Sequence, residues 1–182
     1  MLGLLAGFGL AAATGLNAYL PLLIVGLLAR YTDLIALKPP WSALTHPVVL
    51  VIIGVLLLIE ITVDKIPAVD TVNDVIQTVF RPAAGAILFA ASGNVISNVS
   101  PVLAMVCGLL IAGGVHTAKA VARPAVTAGT LGTGNPVVSL AEDAVSGVTT
   151  IIAIVAPVIL GLLLLFVVWL LIRRYERKHA RS

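Results

Sequence analysis

The chain has 182 residues, of which 60% are hydrophobic and only 10% charged, and its mean hydropathy is +1.14. A soluble domain is usually about 45–50% apolar and about 25% charged, so this chain cannot cover itself with polar surface, and lipid is its main solvent. The net charge of +3 is gathered in the last ten residues, at Arg173, Arg174, Arg177, Lys178 and Arg181; the rest is slightly acidic, so the basic balance is no evidence for nucleic-acid binding, and no nucleic-acid partner is expected. One cysteine, Cys107, excludes an internal disulfide and a cysteine-based metal site.

The opening "MLGLLAGFGLAAATG" has the apolar run and small residues of a signal peptide, but no Lys or Arg precedes the run. It is therefore read as part of the mature fold. Residues 1–30 are uncharged until Arg30 and are punctuated at "TGLNAYLP" by Gly15, Asn17 and Pro21. They form either a broken span or a tight helical hairpin. Interrupted helices at membrane depth need protein or a water-filled cavity to satisfy the freed backbone groups. That makes 14–21, with Asn17, a pointer to an interior site. The loop "YTDLIALKPPWSALTHP" follows, with Tyr31 and Trp41 as headgroup-level anchors.

A bilayer-spanning helix needs about 20 apolar residues. Residues 47–62, 102–121 and 149–172 are the clearest candidates, and 83–99 is a weaker one, interrupted by "SGNVISN". The expectation is an all-α membrane protein: a bundle of five or six transmembrane helices with interruptions, occupying residues 1–172, and a basic tail at 173–182. Basic residues flanking a span favour the cytoplasm, which places the C-terminus there in a multi-pass protein of the bacterial inner membrane. Residues 63–81 and 122–148 then share the opposite side with six of the eight acids. Lys65, Arg81, Lys119 and Arg123 on that side oppose the simple charge rule.

Between the spans lie two segments that resemble each other. "PAVDTVNDVIQTV" from Pro67 aligns with "PVVSLAEDAVSGV" from Pro136, pairing Asp74 with Asp143. The shared context suggests an internal repeat over 47–99 and 102–172. Both segments have helical period, with Val69, Val72, Ile76 and Val79 opposite Asp70, Asn73, Asp74, Gln77 and Arg81 in the first. They are expected to be amphipathic helices that lie at the interface or dip between spans with the polar face toward a cavity. "SLAE" fits a capping box of Ser139 and Glu142, and Asp70 is an N-cap candidate.

Ionisable groups in membrane segments mark functional sites by default. Asp74 and Asp143 are the first candidates for a substrate pathway, followed by Glu60, Asp64, Arg81, Lys119 and Asn17. Like charges four apart, as at Glu60/Asp64 and Asp70/Asp74, require a compensating cation: a basic side chain, a metal ion or a cationic solute. His116 is a lone histidine near a helix end. No metal-ligand spacing, P-loop or other catalytic motif is present, so neither a cofactor nor an enzymatic activity is assigned. Gly108, Gly113 and Gly114 allow close contact between helices or between protomers of a homo-oligomer.

The blocks "ATGLNAYLPLLIVGLLAR", "DKIPAVDTVNDVIQTVFRPAAGA", "KAVARP" and "GNPVVSLAED", in this order, resemble a family of small bacterial multi-pass membrane proteins, the domain of unknown function 4126. The resemblance covers nearly the whole chain. It implies the membrane class and no activity, substrate or cofactor. The interrupted helices, the apparent repeat and the polar helix faces gathered on one side point to a transporter or channel for a small ion or solute. A non-transporting assembly or lipid-organising protein is the alternative, and a lipid-modifying enzyme a third.

Overall fold

The computed structural model describes residues 2–63, 67–92, 100–131, 133–157, 159, 162–163, 165–170 and 173. Helices are the repetitive structure throughout these residues. In chain order they are α1 (Leu2–Leu16), α2 (Tyr19–Tyr31), a 3₁₀ turn at Trp41–Thr45, α3 (Pro47–Val63), α4 (Pro67–Ser92), α5 (Pro101–Thr130) and α6 (Asn135–Val155). Further helical residues follow Pro157. Among the described residues, three helices are long and apolar enough to cross a membrane: α4 over residues 75–92, α5 and α6. The expected count of five or six is not reached among the described residues, because α1, α2 and α3 are apolar but shorter.

Three boundaries differ from the expectation. The amphipathic stretch from Pro67 and the apolar stretch from Ala83 are one helix, α4, which continues through Pro82. The second amphipathic stretch likewise runs on into α6. The two segments are thus the N-terminal halves of longer helices, with Pro67 and Pro136 in their first turns, and neither is a separate interfacial helix. The stretch 149–172 is not one unbroken span. Helix α6 ends at Val155, and Ala156 leaves the helical region at φ −141°, ψ 60°. Pro157 follows, and a proline disfavours helical geometry in the residue before it. Residues 64–66 and 93–99, including Asp64 and Lys65, lie outside the described residues.

The path of the first two helices can be traced from their neighbours. Gly7 of α1 lies against Phe89 and Ser92, whereas Thr14 and Gly15, farther along, lie against Gly85, Ala112 and Val115. On α2, the Tyr19 ring lies 6.3 Å from that of Phe80, tilted by 52°, and Val25 shares a cavity wall with Leu88 and Gly3. Moving out along α1 and moving back along α2 therefore cover the same stretch of α4. The chain reverses at Asn17–Ala18, so of the two readings of residues 1–30 the hairpin is the one found. Each arm is about 20 Å long, short of the roughly 30 Å hydrocarbon core. The tip meets α5 at Ala112–Lys119, near the middle of a helix about 45 Å long.

Helices α4 and α5 pack with their backbones in contact. A side chain on Gly108 would meet the carbonyl oxygen of Gly85, and one on Gly85 would meet Ala112. Between helices in lipid there is little hydrophobic driving force, and small residues that allow close approach supply van der Waals contact in its place. Gly114, by contrast, faces open space.

The molecule is inverted relative to a soluble fold. Val75, Ile76, Val79 and Phe80 of α4 are exposed, while Asn73, Gln77 and Arg81 are buried. On α5, Val102, Leu103, Val106 and Leu110 are exposed, while His116, Lys119 and Arg123 are buried. The buried polar set spans Thr14 and Asn17 on the hairpin, Glu60 on α3, and Ser139, Ser146 and Thr150 on α6. Arg81, Lys119 and Arg123 are therefore helix residues inside the bundle. A rule about charge in loops does not apply to them, which removes their conflict with a cytoplasmic C-terminus.

Candidate functional site

A chain that breaks a helix inside a bundle must satisfy the last carbonyls of one half and the first N–H groups of the other. Here the ends are met by side chains from distant helices. At the end of α1, the Ala13 carbonyl accepts from Ser146 Oγ of α6 at 2.9 Å, and the Leu16 carbonyl accepts from Lys119 Nζ of α5 at 3.3 Å. At the start of α2, Asn17 Oδ1 accepts from the N–H groups of Tyr19 at 3.1 Å and Leu20 at 2.8 Å. This is the N-cap interaction. Glu60 Oε1 of α3 accepts from the N–H of Ala18 at 3.5 Å. The arrangement follows the helix dipole: a cation sits at the C-terminal end of α1 and a carboxylate at the N-terminal end of α2. Asn17 also donates through Nδ2 to Asp143 Oδ1 of α6 at 2.8 Å.

Two ionic groups flank this tip. In the first, the Arg81 guanidinium donates through Nη2 to Glu60 Oε1 at 3.1 Å, and both side chains are fully buried. Arg81 Nη1 lies 3.0 Å from His116 Nδ1, and His116 Nε2 lies 3.1 Å from Thr78 Oγ1. In the second, Glu142 Oε2 accepts from Lys119 Nζ at 2.8 Å and from Arg123 Nη2 at 3.0 Å. Lys119 belongs to both the tip and this group. Four helices and the hairpin thus converge on one polar region about the tip. Gln77, 2% exposed, adds a buried amide whose Oε1 finds no hydrogen-bond partner among the described residues.

Of the pathway candidates, Glu60, Arg81, Lys119, Asn17 and Asp143 are brought together here. Asp74 lies on the same stretch of α4 as Thr78 and Arg81, but its side chain is not among the described ones; Asp64 is outside them altogether. The cap assignments are corrected. Ser139 and Glu142 are inside α6, which begins at Asn135, so neither can cap its start. Ser139 is buried, and Glu142 points its carboxylate at two cations of α5. Asp70 is likewise inside α4. The capping pattern is present in the sequence, but the helix begins one turn earlier, and the ion pairs of Glu142 take its carboxylate.

His116 and Arg123 are not among the pathway candidates that the sequence offers. Their signal is spacing: His116, Lys119 and Arg123 are three and four apart, so they share one face of α5. That face is buried on a helix whose other faces carry Val and Leu. Among the described residues, no three His, Cys, Asp or Glu side chains gather as metal ligands.

At the opposite end of the hairpin is an apolar cavity of about 240 Å³, bordered by Leu10, Val25, Leu37, Leu88, Ile154 and Pro157.

The family model described as Domain of unknown function (DUF4126) matches residues 4–177, and the chain belongs to that family. No curated protein and no solved structure matches it.

Proposed function

We propose that this member of the DUF4126 family is a multi-pass membrane protein that moves a small ion or solute past the tip of the α1–α2 hairpin. The observation that carries the reading is the tip itself. It is buried, it lies near mid-length of the longest helix, and its backbone ends are held by charged and polar side chains from α3, α5 and α6. Non-helical backbone at membrane depth is tolerated where protein buries it or where it lines a water-filled cavity. Half-helix ends that face a site near the midplane are a recurring feature of transporters. Charges inside a membrane protein are costly, and they mark ion or proton paths.

In this reading Asp143 and Glu60 supply the negative charge of the path, and Lys119 and Arg81 the positive charge. Asn17 links the tip to Asp143. The second amphipathic segment repeats the first, and the two N-terminal halves of α4 and α6 form its walls. The protein sits in the bacterial inner membrane with its basic tail in the cytoplasm.

The test is flux. Purified full-length protein in proteoliposomes is given gradients of sodium, potassium, chloride, phosphate and protons in turn, and charge movement is read on a solid-supported membrane. At least one gradient is expected to drive a protein-dependent current. Asp143→Asn is expected to lower it about tenfold or more, because one interaction worth about 1.4 kcal/mol in the rate-limiting step is a factor of ten. Equal currents from Asp143→Asn and the native chain would remove Asp143 from the path.

The apolar cavity favours one other reading, that of a lipid-organising protein that holds a hydrocarbon tail between α1, α2 and α4. That reading expects no current with any ion and a tightly retained lipid after purification. A lipid-modifying activity is less well served, since His116 is 4% exposed and engaged at both ring nitrogens.

A further inference from the structure

We infer that His116 is a proton-binding site whose occupancy releases the hairpin tip, so that the ligand coupled to movement at this site is the proton. The inference rests on the transport reading for its purpose, and on the geometry of one hydrogen bond for its mechanism.

A guanidinium has five N–H donors and no acceptor. Arg81 Nη1, 3.0 Å from His116 Nδ1, must therefore donate, and Nδ1 must present a lone pair. The imidazole is neutral, and its single proton is on Nε2, where it faces Thr78 Oγ1 at 3.1 Å. Proton uptake moves H⁺ from hydronium to the Nδ1 lone pair: one hydronium O–H bond breaks, one N–H bond forms, and the hydrogen bond from Arg81 is lost. The imidazolium then donates from both nitrogens. Against Arg81 this sets N–H against N–H and one positive charge against another, so the contact has to open.

Glu60 Oε1 carries the consequence toward the tip. Glu60 Oε1 accepts both from Arg81 Nη2 at 3.1 Å and from the N–H of Ala18 at 3.5 Å. When Arg81 moves off His116, the oxygen it carries with it is the one that accepts from the N–H of Ala18, while Asn17 Oδ1 keeps the N–H groups of Tyr19 and Leu20. The chain of contacts runs His116, Arg81, Glu60, Ala18, and crosses from α5 through α4 and α3 to the hairpin.

Other charged groups bear on His116 from each element near it. Arg81 faces it from α4, and Asp74 lies one turn before Thr78 on that helix. Glu60 of α3 reaches it through Arg81. On α5 itself Lys119 is three residues on, held by Glu142 of α6, with Asp143 beyond, at Asn17. Helix α1, which packs on α5, has no titratable residue.

The chain has three histidines. Replacing His46 and His179 with Asn leaves His116 as the one imidazole, whose nitrogens can be followed by ¹⁵N magnetic resonance in lipid bilayers. The neutral Nε2–H form is expected at alkaline pH and the imidazolium on acidification. Over that same pH range, deuterium exchange at the amide of Ala18, corrected for the intrinsic rate, is expected to rise about tenfold. In His116→Asn, which keeps an acceptor for Arg81 but takes up no proton, exchange should stay flat.

A neutral Nδ1–H form, an imidazolium at alkaline pH, a titration that leaves the tip closed, or an opening that persists in His116→Asn overturns the proposal. If His116→Asn does not fold, the tautomer and the joint titration in the chain that keeps His116 still decide. Loss of current in Asp143→Asn beside a flat His116 profile overturns this inference and leaves the transport reading intact; titration and opening without current for any ion does the reverse.

Discussion

Arg81→Met is expected to be the most damaging single substitution in the bundle, costing about 3–5 kcal/mol, the usual cost of removing one partner from a buried ion pair. The cause is what it leaves behind. Glu60 is fully buried and loses the guanidinium that faces it, and His116 loses the donor at Nδ1. Methionine fills much of the volume, so the loss is electrostatic and not a cavity. In a thermal melt of the detergent-solubilised protein, the midpoint should fall by roughly 10 °C. Arg81→Met combined with Glu60→Gln should recover part of that, because the second change removes the stranded charge. An undiminished melting point in the single variant would mean that Glu60 is neutral or wet, and would dissolve the first ionic group described above.

Glu142→Gln is expected to be the next most costly, at about 1.5–3 kcal/mol, the range for hydrogen bonds to charged groups. One oxygen, Oε2, serves both Lys119 and Arg123, at 2.8 and 3.0 Å. Neutralising it leaves two cations side by side on one face of α5. The effect is smaller than at Arg81 because the Glu142 side chain is 15% exposed, against 0% for Glu60, and water takes up part of the charge. The variant should loosen the tip as well, since Lys119 also holds the Leu16 carbonyl. Adding Arg123→Gln should restore stability, as it removes one of the two cations. A double variant no better than the single one would show that the two cations are not coupled through Glu142.

Much of this arrangement is legible in the sequence. Gly15, Asn17 and Pro21 mark a break, and the structure puts one at Asn17–Ala18. Asn17 is informative because a short amide can cap a helix start. The sequence leaves open whether the chain goes on or turns back there. That depends on contacts such as Tyr19 with Phe80, sixty-one residues apart. The two faces of the α4 segment are likewise plain from their period, but periodicity alone does not say which face is inside. In water the apolar face is buried. In this bundle Val75, Val79 and Phe80 are outside, and Asn73, Gln77 and Arg81 are inside.

The helix boundaries are the least legible part. Pro82 reads as a start, yet α4 runs through it, because packing against α5 at Gly85 and Gly108 holds a segment that local rules would end. Pro157 does end its helix. Ser139 and Glu142 carry a capping pattern in a helix that begins a turn earlier. His116 reads as a lone residue because Arg81, its partner, is thirty-five positions away.

The central claim is that the hairpin tip is a water-reachable site within the bilayer. With Cys107→Ser as background, single cysteines at Ala18, in the tip, and at Ala11, in the α1 arm, are treated in intact membranes with a membrane-impermeant thiol reagent. The account expects the cysteine at 18 to react from at least one side of the membrane and the cysteine at 11 to stay inert. A cysteine at 18 as inert as the one at 11, from both sides and at every pH, would contradict it and leave a closed structural core.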